Sequence, residues 1–401
     1  MMRNRLPIFV ILATVMIDAM GIGLIIPVMP DLIQEVAGGD LGSAAVWGGI
    51  LATVFAFMQF LCGPLLGNLS DRFGRRPVLL VSLAVMSADY VIMALAHNIW
   101  ILVIGRIVAG ITAATYATAM AYMADMSDAK EKAKAFGMIG AAMGVGFVFG
   151  PVIGGIMGQF GTRAPFWAAA VLAGGNALLG WMVLKETVTD ANRRAFEWRR
   201  SNPLGALQAL GKLPAMTNLL IVFFFYQIAA AVYPAIWPYF IIERFGWEEA
   251  MIGLSLTAYG LCFAIVQATL IGPFTKWFGN RRTVVIGLGL EVVALIYLAV
   301  ISNGILLFIG IPVAALSSVG LPALQSIMSR RVSDDAQGEL QGISASLTSL
   351  AHIAAPLVMT QTFAHFSDKH AVLYLPGAPF LLAAALLMIA IAVFAKSRRA
   401  T

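Results

Sequence analysis

Four ionisable side chains, Asp18, Asp89, Arg106 and Glu291, stand inside stretches that are otherwise almost wholly apolar. An ionisable group at mid-bilayer costs about 2.5–3.5 kcal/mol on insertion scales and is by default a functional group. The guanidinium of Arg106 keeps its proton in proteins, whereas a carboxyl group can gain or lose one. Three acids therefore face one permanent cation. Arg106 can hold one carboxylate ionised; those left without a cation are poorly solvated and able to take up protons. A carboxyl exposed alternately to the two sides of a membrane would carry protons across it, so proton coupling is the chemistry this set supports. The competing readings are a buried packing pair for Asp89 and Arg106, and satisfied acids without a task for Asp18 and Glu291.

Neutral polar groups at similar depth are Gln59, Asn176, Gln227, Gln267, Gln325 and His352. Each can either bond between helices or line a cavity. Aromatic rings at Phe57, Tyr90, Phe225 and Phe263 would suit a flat, apolar ligand if they line one. No acid or Cys cluster converges by spacing on His365 and His370, so no metal site is expected. The sequence contains no Gly-x4-Gly-Lys-Ser/Thr loop for nucleotide phosphates. It also lacks the Gly-x-Ser-x-Gly and His-Glu-x-x-His patterns of hydrolases. No cofactor is implied.

Placing these groups requires long apolar helices. Of 401 residues, 60% are apolar and 11% charged, and the mean hydropathy is +0.88. That balance excludes a soluble enzyme. It also excludes a nucleic-acid binder despite the net charge of +6, because in membrane proteins such an excess marks cytoplasmic loops. Windows of about 20 apolar residues predict twelve spans, near 7–29, 45–66, 77–96, 99–122, 135–158, 165–184, 216–242, 250–272, 283–301, 304–325, 338–362 and 376–395. The basic start, Met1–Arg5, resembles a signal n-region, but no small-residue cleavage site follows, so the first span is expected to be retained.

With the N-terminus inside, the inner segments hold 22 of the 26 Lys and Arg. The outer loops hold only Arg163, Arg244 and Lys369, which supports twelve spans with both termini cytoplasmic. Measured along such helices at about 1.5 Å per residue, Asp18, Asp89 and Glu291 lie roughly 14–18 Å from the inner face. Arg106 lies about 10 Å from the outer face, within reach of either Asp18 or Asp89.

The two halves echo each other. Gly67-Asn-Leu-Ser-Asp-Arg-Phe-Gly-Arg-Arg-Pro77 returns 205 residues later as Gly272-Pro-Phe-Thr-Lys-Trp-Phe-Gly-Asn-Arg-Arg282, and the same shift carries Pro151 to Pro356. The expected fold is an all-α membrane protein of two pseudo-symmetric six-helix bundles. The expected division is 1–190, a basic linker at 191–215, and 216–401.

These motifs resemble the major facilitator superfamily. Gly67, Asp71, Arg72, Gly74, Arg75 and Arg76 look like its loop 2–3 signature, which the resemblance makes a latch of helix ends on the cytoplasmic side. Gly146, Gly150, Pro151, Gly154 and Gly155 look like the span 5 motif of its exporting antiporters, and Ile104–Gly110 like its span 4 arginine motif. Asp18–Pro30, Asp89-Tyr90, Gly320–Gln325 and Gln337–Gly342 are similar to the tetracycline efflux proteins among the drug:proton antiporters. The resemblance implies proton coupling through Asp18, Asp89, Arg106 and Glu291, and substrate contacts at Gln59, Tyr90, Phe263, Gln267 and Gln325. It further implies a monomer in a bacterial-type inner membrane, exchanging a small drug-like molecule for protons. Two positions depart from that family: Phe263 stands where it has histidine, and Glu291 where it has aspartate. An importing symporter on the same fold is the alternative; an intramembrane enzyme or a passive channel accounts for fewer of the motifs.

Overall fold

The computed structural model describes residues 5–128, 131–190, 193–197, 202–203, 205, 216–333, 336–368 and 370–397, and among them it is all-helical. Twelve helical segments are long and apolar enough to cross a membrane: Leu6–Ala37, Leu41–Phe73, Arg75–Leu95, Ile99–Met126, Lys134–Gly158, Ala164–Val183, Thr217–Phe245, Glu249–Thr269, Ile271–Val300, Gly304–Ser329, Gln337–Ser367 and Ala378–Lys396. They are numbered here as spans 1–12. Each overlaps the span expected from hydropathy.

Spans 1, 4, 7 and 10 are interrupted, and the interruptions share one register. Span 1 passes through a 3-10 turn at Ile26–Val28, and span 4 loses its helix at Thr112–Ala114. Span 7 breaks at Ala231, and span 10 has a 3-10 turn at Ser317–Val319. A shift of 205 residues carries 112–114 onto 317–319 and 26 onto 231. The same shift relates Asn98 to Asn303, whose side chains accept from the backbone N–H two residues on, 2.8 Å away, and so cap spans 4 and 10. The sequence repeat is thus also a repeat of helix caps and breaks.

The loop between spans 2 and 3 is shorter than hydropathy indicates. Span 2 stays helical through Phe73, and Gly74 alone reverses the chain at φ +116°. Gly279, at the repeat position, has φ +72°. Such φ values strain any residue with a Cβ.

By packing, the described residues of 1–38, 54–203 and 248–257 form one unit, and those of 39–53, 204–247 and 258–401 a second. The first span pair of the first unit is built on glycine. Span 5 lays Gly146, Gly150 and Gly154 on the backbone of span 1 at Met16, Met20 and Leu24; a Cβ at Gly150 would stand 2.6 Å from the Met20 carbonyl oxygen. Four-residue spacing on both helices lets their backbones touch, as small residues do in membranes. On the other side of span 5, Pro151 and Gly155 meet the first turns of span 8 at Gly253 and Glu249, and Thr257 Oγ1 donates to the Val148 carbonyl at 2.9 Å. Apolar packing of Val10, Ile11 and Val15 with Leu79, Leu83, Tyr122 and Ile139 completes this core.

In the second unit the start of span 2 runs along span 11. Thr53 Oγ1 donates to the Ile353 carbonyl at 2.9 Å, and Gly49 faces Thr360. Buried Phe240, Phe363, Phe380 and Phe394 fill its interior. The boundary expected within 191–215 falls largely outside the described residues.

Candidate functional site

In the first unit, Arg106 of span 4 forms an ion pair with Asp89 of span 3. Asp89 is only 2% exposed. The guanidinium also donates to Met93 Sδ at 2.9 Å and lies 5.6 Å from the Phe55 ring centroid. Gly105 makes room for the pair, since a Cβ there would reach within 2.6 Å of Asp89 Oδ1. Asp89 Oδ1 and Arg106 Nε are buried without a hydrogen-bond partner among the described residues. Of the two carboxylates within reach, Arg106 takes Asp89.

Asp18 is left without a cation. Among the described residues, no hydrogen bond or ion pair reaches its carboxylate. Tyr90 lies within electrostatic reach of it, a buried residue whose hydroxyl sits over Gly21, one turn along span 1. Tyr90 therefore joins the Asp18 surroundings as the sequence suggests. Gln59, also in this unit, is exposed.

In the second unit, Glu291 of span 9 is 7% exposed and meets the interruptions of spans 7 and 10. Tyr233, two residues past the span 7 break, donates to Glu291 Oε1 at 2.9 Å, and Ser317 in the span 10 turn donates to Oε2. No Lys or Arg pairs with it among the described residues. Sequence reasoning missed Tyr233 and Ser317. The available signal was a hydroxyl beside a helix break, in Tyr233-Pro and Ser317-Ser-Val-Gly. Phe263 and Gln267 lie one turn apart on span 8; Phe263 is exposed and Gln267 half-buried. Gln325 is exposed on span 10. Two other polar groups join helices: Thr14 Oγ1 donates to Asn176 Oδ1 at 3.0 Å, and Gln227 Nε2 donates to Thr348 Oγ1 at 2.9 Å.

The loop 2–3 cluster binds helix ends within the first unit. Arg75 pairs with Asp71 and, at 3.2 Å, with Asp125 at the end of span 4. Arg76 donates to the Trp181 carbonyl in the last turn of span 6 at 2.7 Å, where the helix dipole favours a cation. Arg72 lies over the Phe73 ring. Gly67 has open space beside it. The partner absent from the sequence reading is Glu186, whose carboxylate accepts from the backbone N–H groups of Arg75 and Arg76 at 2.9 and 3.2 Å and so caps span 3. It also accepts from the N–H groups of Thr187 and Val188.

This cap makes Gly74 doubly constrained, by its φ and by the Glu186 carboxylate that a Cβ would strike. Gly74→Ala should cost about 1–3 kcal/mol of stability through backbone strain, and Glu186→Ala about 1–2 kcal/mol through loss of the cap. In the double variant the steric part of the Gly74→Ala cost disappears, so the two costs should sum to more than the double loss. Melting temperatures of the four proteins in one detergent check this; strict additivity would remove Glu186 from the loop's design.

Comparison with known proteins bears on the family and the fold. Residues 11–235 and 219–400 match the Major Facilitator Superfamily. The chain is 44% identical to the class C tetracycline resistance protein of Escherichia coli over 90% of its own length and 91% of that protein's. It is 41% identical to the class G tetracycline resistance protein of Vibrio anguillarum over 86% of its length and 88% of that protein's. Among solved structures, the nucleoside transporter NupG superimposes with a TM-score of 0.80 at 12% identity, covering 97% of this chain and 98% of that one. Twelve helices with a 205-residue repeat of caps and breaks, and relatives matched along almost their whole length, carry one conclusion: the chain belongs to the major facilitator superfamily of transporters and is similar there to the tetracycline resistance proteins.

Proposed function

We propose that this transporter works as a proton-driven antiporter, exporting a small hydrophobic or amphiphilic drug-like molecule in exchange for protons. The observation that carries the reading is the distribution of charge. Arg106 is committed to Asp89, while Asp18 and Glu291 are embedded carboxyls with no cation among the described residues. A carboxyl in that setting can bind a proton on one side of the membrane and release it on the other. In this reading the protein acts as a monomer in a bacterial-type inner membrane, with both termini and the Gly74 loop on the cytoplasmic side. Phe263 replaces the ionisable histidine of the tetracycline efflux proteins by an apolar ring and shifts the substrate range toward more apolar compounds.

Everted membrane vesicles test the proposal. An imposed proton gradient should drive accumulation of more apolar drugs, with tetracycline accumulated more weakly, and a protonophore should abolish both. Accumulation that survives the protonophore would reject proton coupling, and tetracycline as the preferred substrate would reject the role given to Phe263.

A further inference from the structure

The end of span 2 carries a basic hollow that proton coupling leaves without a task. Arg72, Phe73, Asp190, Arg193, Arg194 and Ala195 line a cavity of about 400 Å³ in the first unit. Two hydrogen bonds hold the chain that follows span 6 against span 2. The Arg194 N–H donates to the Asp71 carbonyl at 3.3 Å, and Asn68 Nδ2 donates to the Glu197 carbonyl at 2.7 Å. Both bonds end on backbone carbonyls, so the segment is placed without using its guanidinium groups. The charges around the hollow do not balance. Asp71 is taken by Arg75, and Asp190 lies 3.7 Å from Arg193 but is 99% exposed, where water screens the pair. Arg72 and Arg194 have no acid within ion-pair distance among the described residues. Arg72 lies instead over the Phe73 ring, which is itself 62% exposed.

Depth decides what such a hollow meets. Span 2 has 33 residues, about 50 Å of helix at 1.5 Å per residue, against about 40–45 Å for a bilayer with its headgroups. Its last turn, with Arg72 and Phe73, therefore reaches the headgroup layer. Planar guanidinium groups offer paired N–H donors to phosphate oxygens, and basic pockets at a membrane face take lipid headgroups. An exposed ring at that level suits the glycerol and the top of an acyl chain. We propose that this hollow binds the phosphodiester of an anionic phospholipid, with Arg72, Arg193 and Arg194 as donors and Phe73 against the glycerol. Free phosphate shares the charge chemistry but gives the exposed ring nothing to cover. A phosphate held there bridges span 2 to the segment after span 6, adding charged contacts to the two backbone bonds. The site is independent of which drug is exported; in the orientation proposed above, its leaflet is the cytoplasmic one.

The test uses the full-length purified protein in detergent, with phosphatidylglycerol and phosphatidylcholine of the same acyl chains as probes and native mass spectrometry to count bound lipid. The parent should prefer phosphatidylglycerol at least about tenfold, as several arginines at one headgroup require. Arg193→Gln/Arg194→Gln should bring the preference to within about twofold. Both side chains are exposed and the backbone bonds of the segment remain, so the fold is kept. Arg330→Gln/Arg331→Gln removes the same charge from an exposed pair elsewhere and should leave the preference unchanged. Arg72→Gln, on the span 2 wall, should lower it about threefold or more, and it decides should the linker variant fail to fold. No preference in the parent overturns the site. Equal losses in the two double variants overturn it as well, since diffuse positive charge would then be the cause. Millimolar inorganic phosphate, at constant ionic strength, should not displace the lipid. Displacement by it would make the occupant a free anion and overturn the lipid assignment.

Discussion

Asp18→Asn is expected to abolish uphill, proton-driven transport while leaving the chain inserted, folded and at least as stable as the parent. The two halves of that expectation have different causes. Asparagine keeps the shape and polarity of the side chain but cannot bind and release a proton, so a coupling carboxyl cannot survive the exchange. Stability follows the other sign because the Asp18 carboxylate has no hydrogen bond or ion pair among the described residues to lose. An embedded charge costs about 2.5–3.5 kcal/mol on insertion scales, and removing its source relieves part of that cost. Glu291→Gln should also abolish coupling, with a smaller effect on stability, because the glutamine oxygen can still accept from one of the two hydroxyls, Tyr233 or Ser317, while its amide donates to the other. Transport in everted vesicles and melting temperature in detergent give the two readouts. Retained uphill transport in both variants would remove these carboxyls from the coupling mechanism. A large drop in melting temperature with Asp18→Asn would mean the carboxylate has a structural partner.

How far these sites were readable without coordinates follows from what hydropathy measures. It gives each residue a depth along a membrane normal, and the twelve spans with their four embedded charges came out at that level. It gives no lateral neighbour. Asp18 and Asp89 stand at similar depth, so the choice of Arg106 between them needed the order of the helices around it. Glu186 was hidden for the same reason: it follows span 6 by a few residues and caps span 3, which only the packing of the first unit reveals. The helix breaks divide along a chemical line. Pro27 marks the one in span 1, whereas Thr112-Ala-Ala in span 4 contains neither Gly nor Pro. That break becomes visible through the 205-residue shift to Ser317–Val319. Charge and period were legible; azimuth was not.

The largest expected loss of stability lies at the buried pair. Arg106→Met strands the Asp89 carboxylate at 2% exposure, and breaking a buried pair by removing one partner costs about 3–5 kcal/mol. Asp89→Leu alone strands the guanidinium, which cannot discharge its proton to escape. The double variant Asp89→Leu/Arg106→Met leaves neither charge behind. Replacing a buried ion pair by apolar groups of similar volume is often neutral or stabilising, so the double variant should recover most of what either single change loses. Its transport then separates the two roles that the pair could have. If Arg106 serves only to neutralise Asp89, the double variant transports as the parent does. The placing of both charges in otherwise apolar spans argues for the other result, because an ionisable group inside a membrane span is by default functional. A double variant that folds, inserts and binds its drug but does not couple transport to protons is therefore the expected result. Full proton-driven transport by that variant would reduce the pair to a packing device and leave Asp18 and Glu291 to carry the coupling.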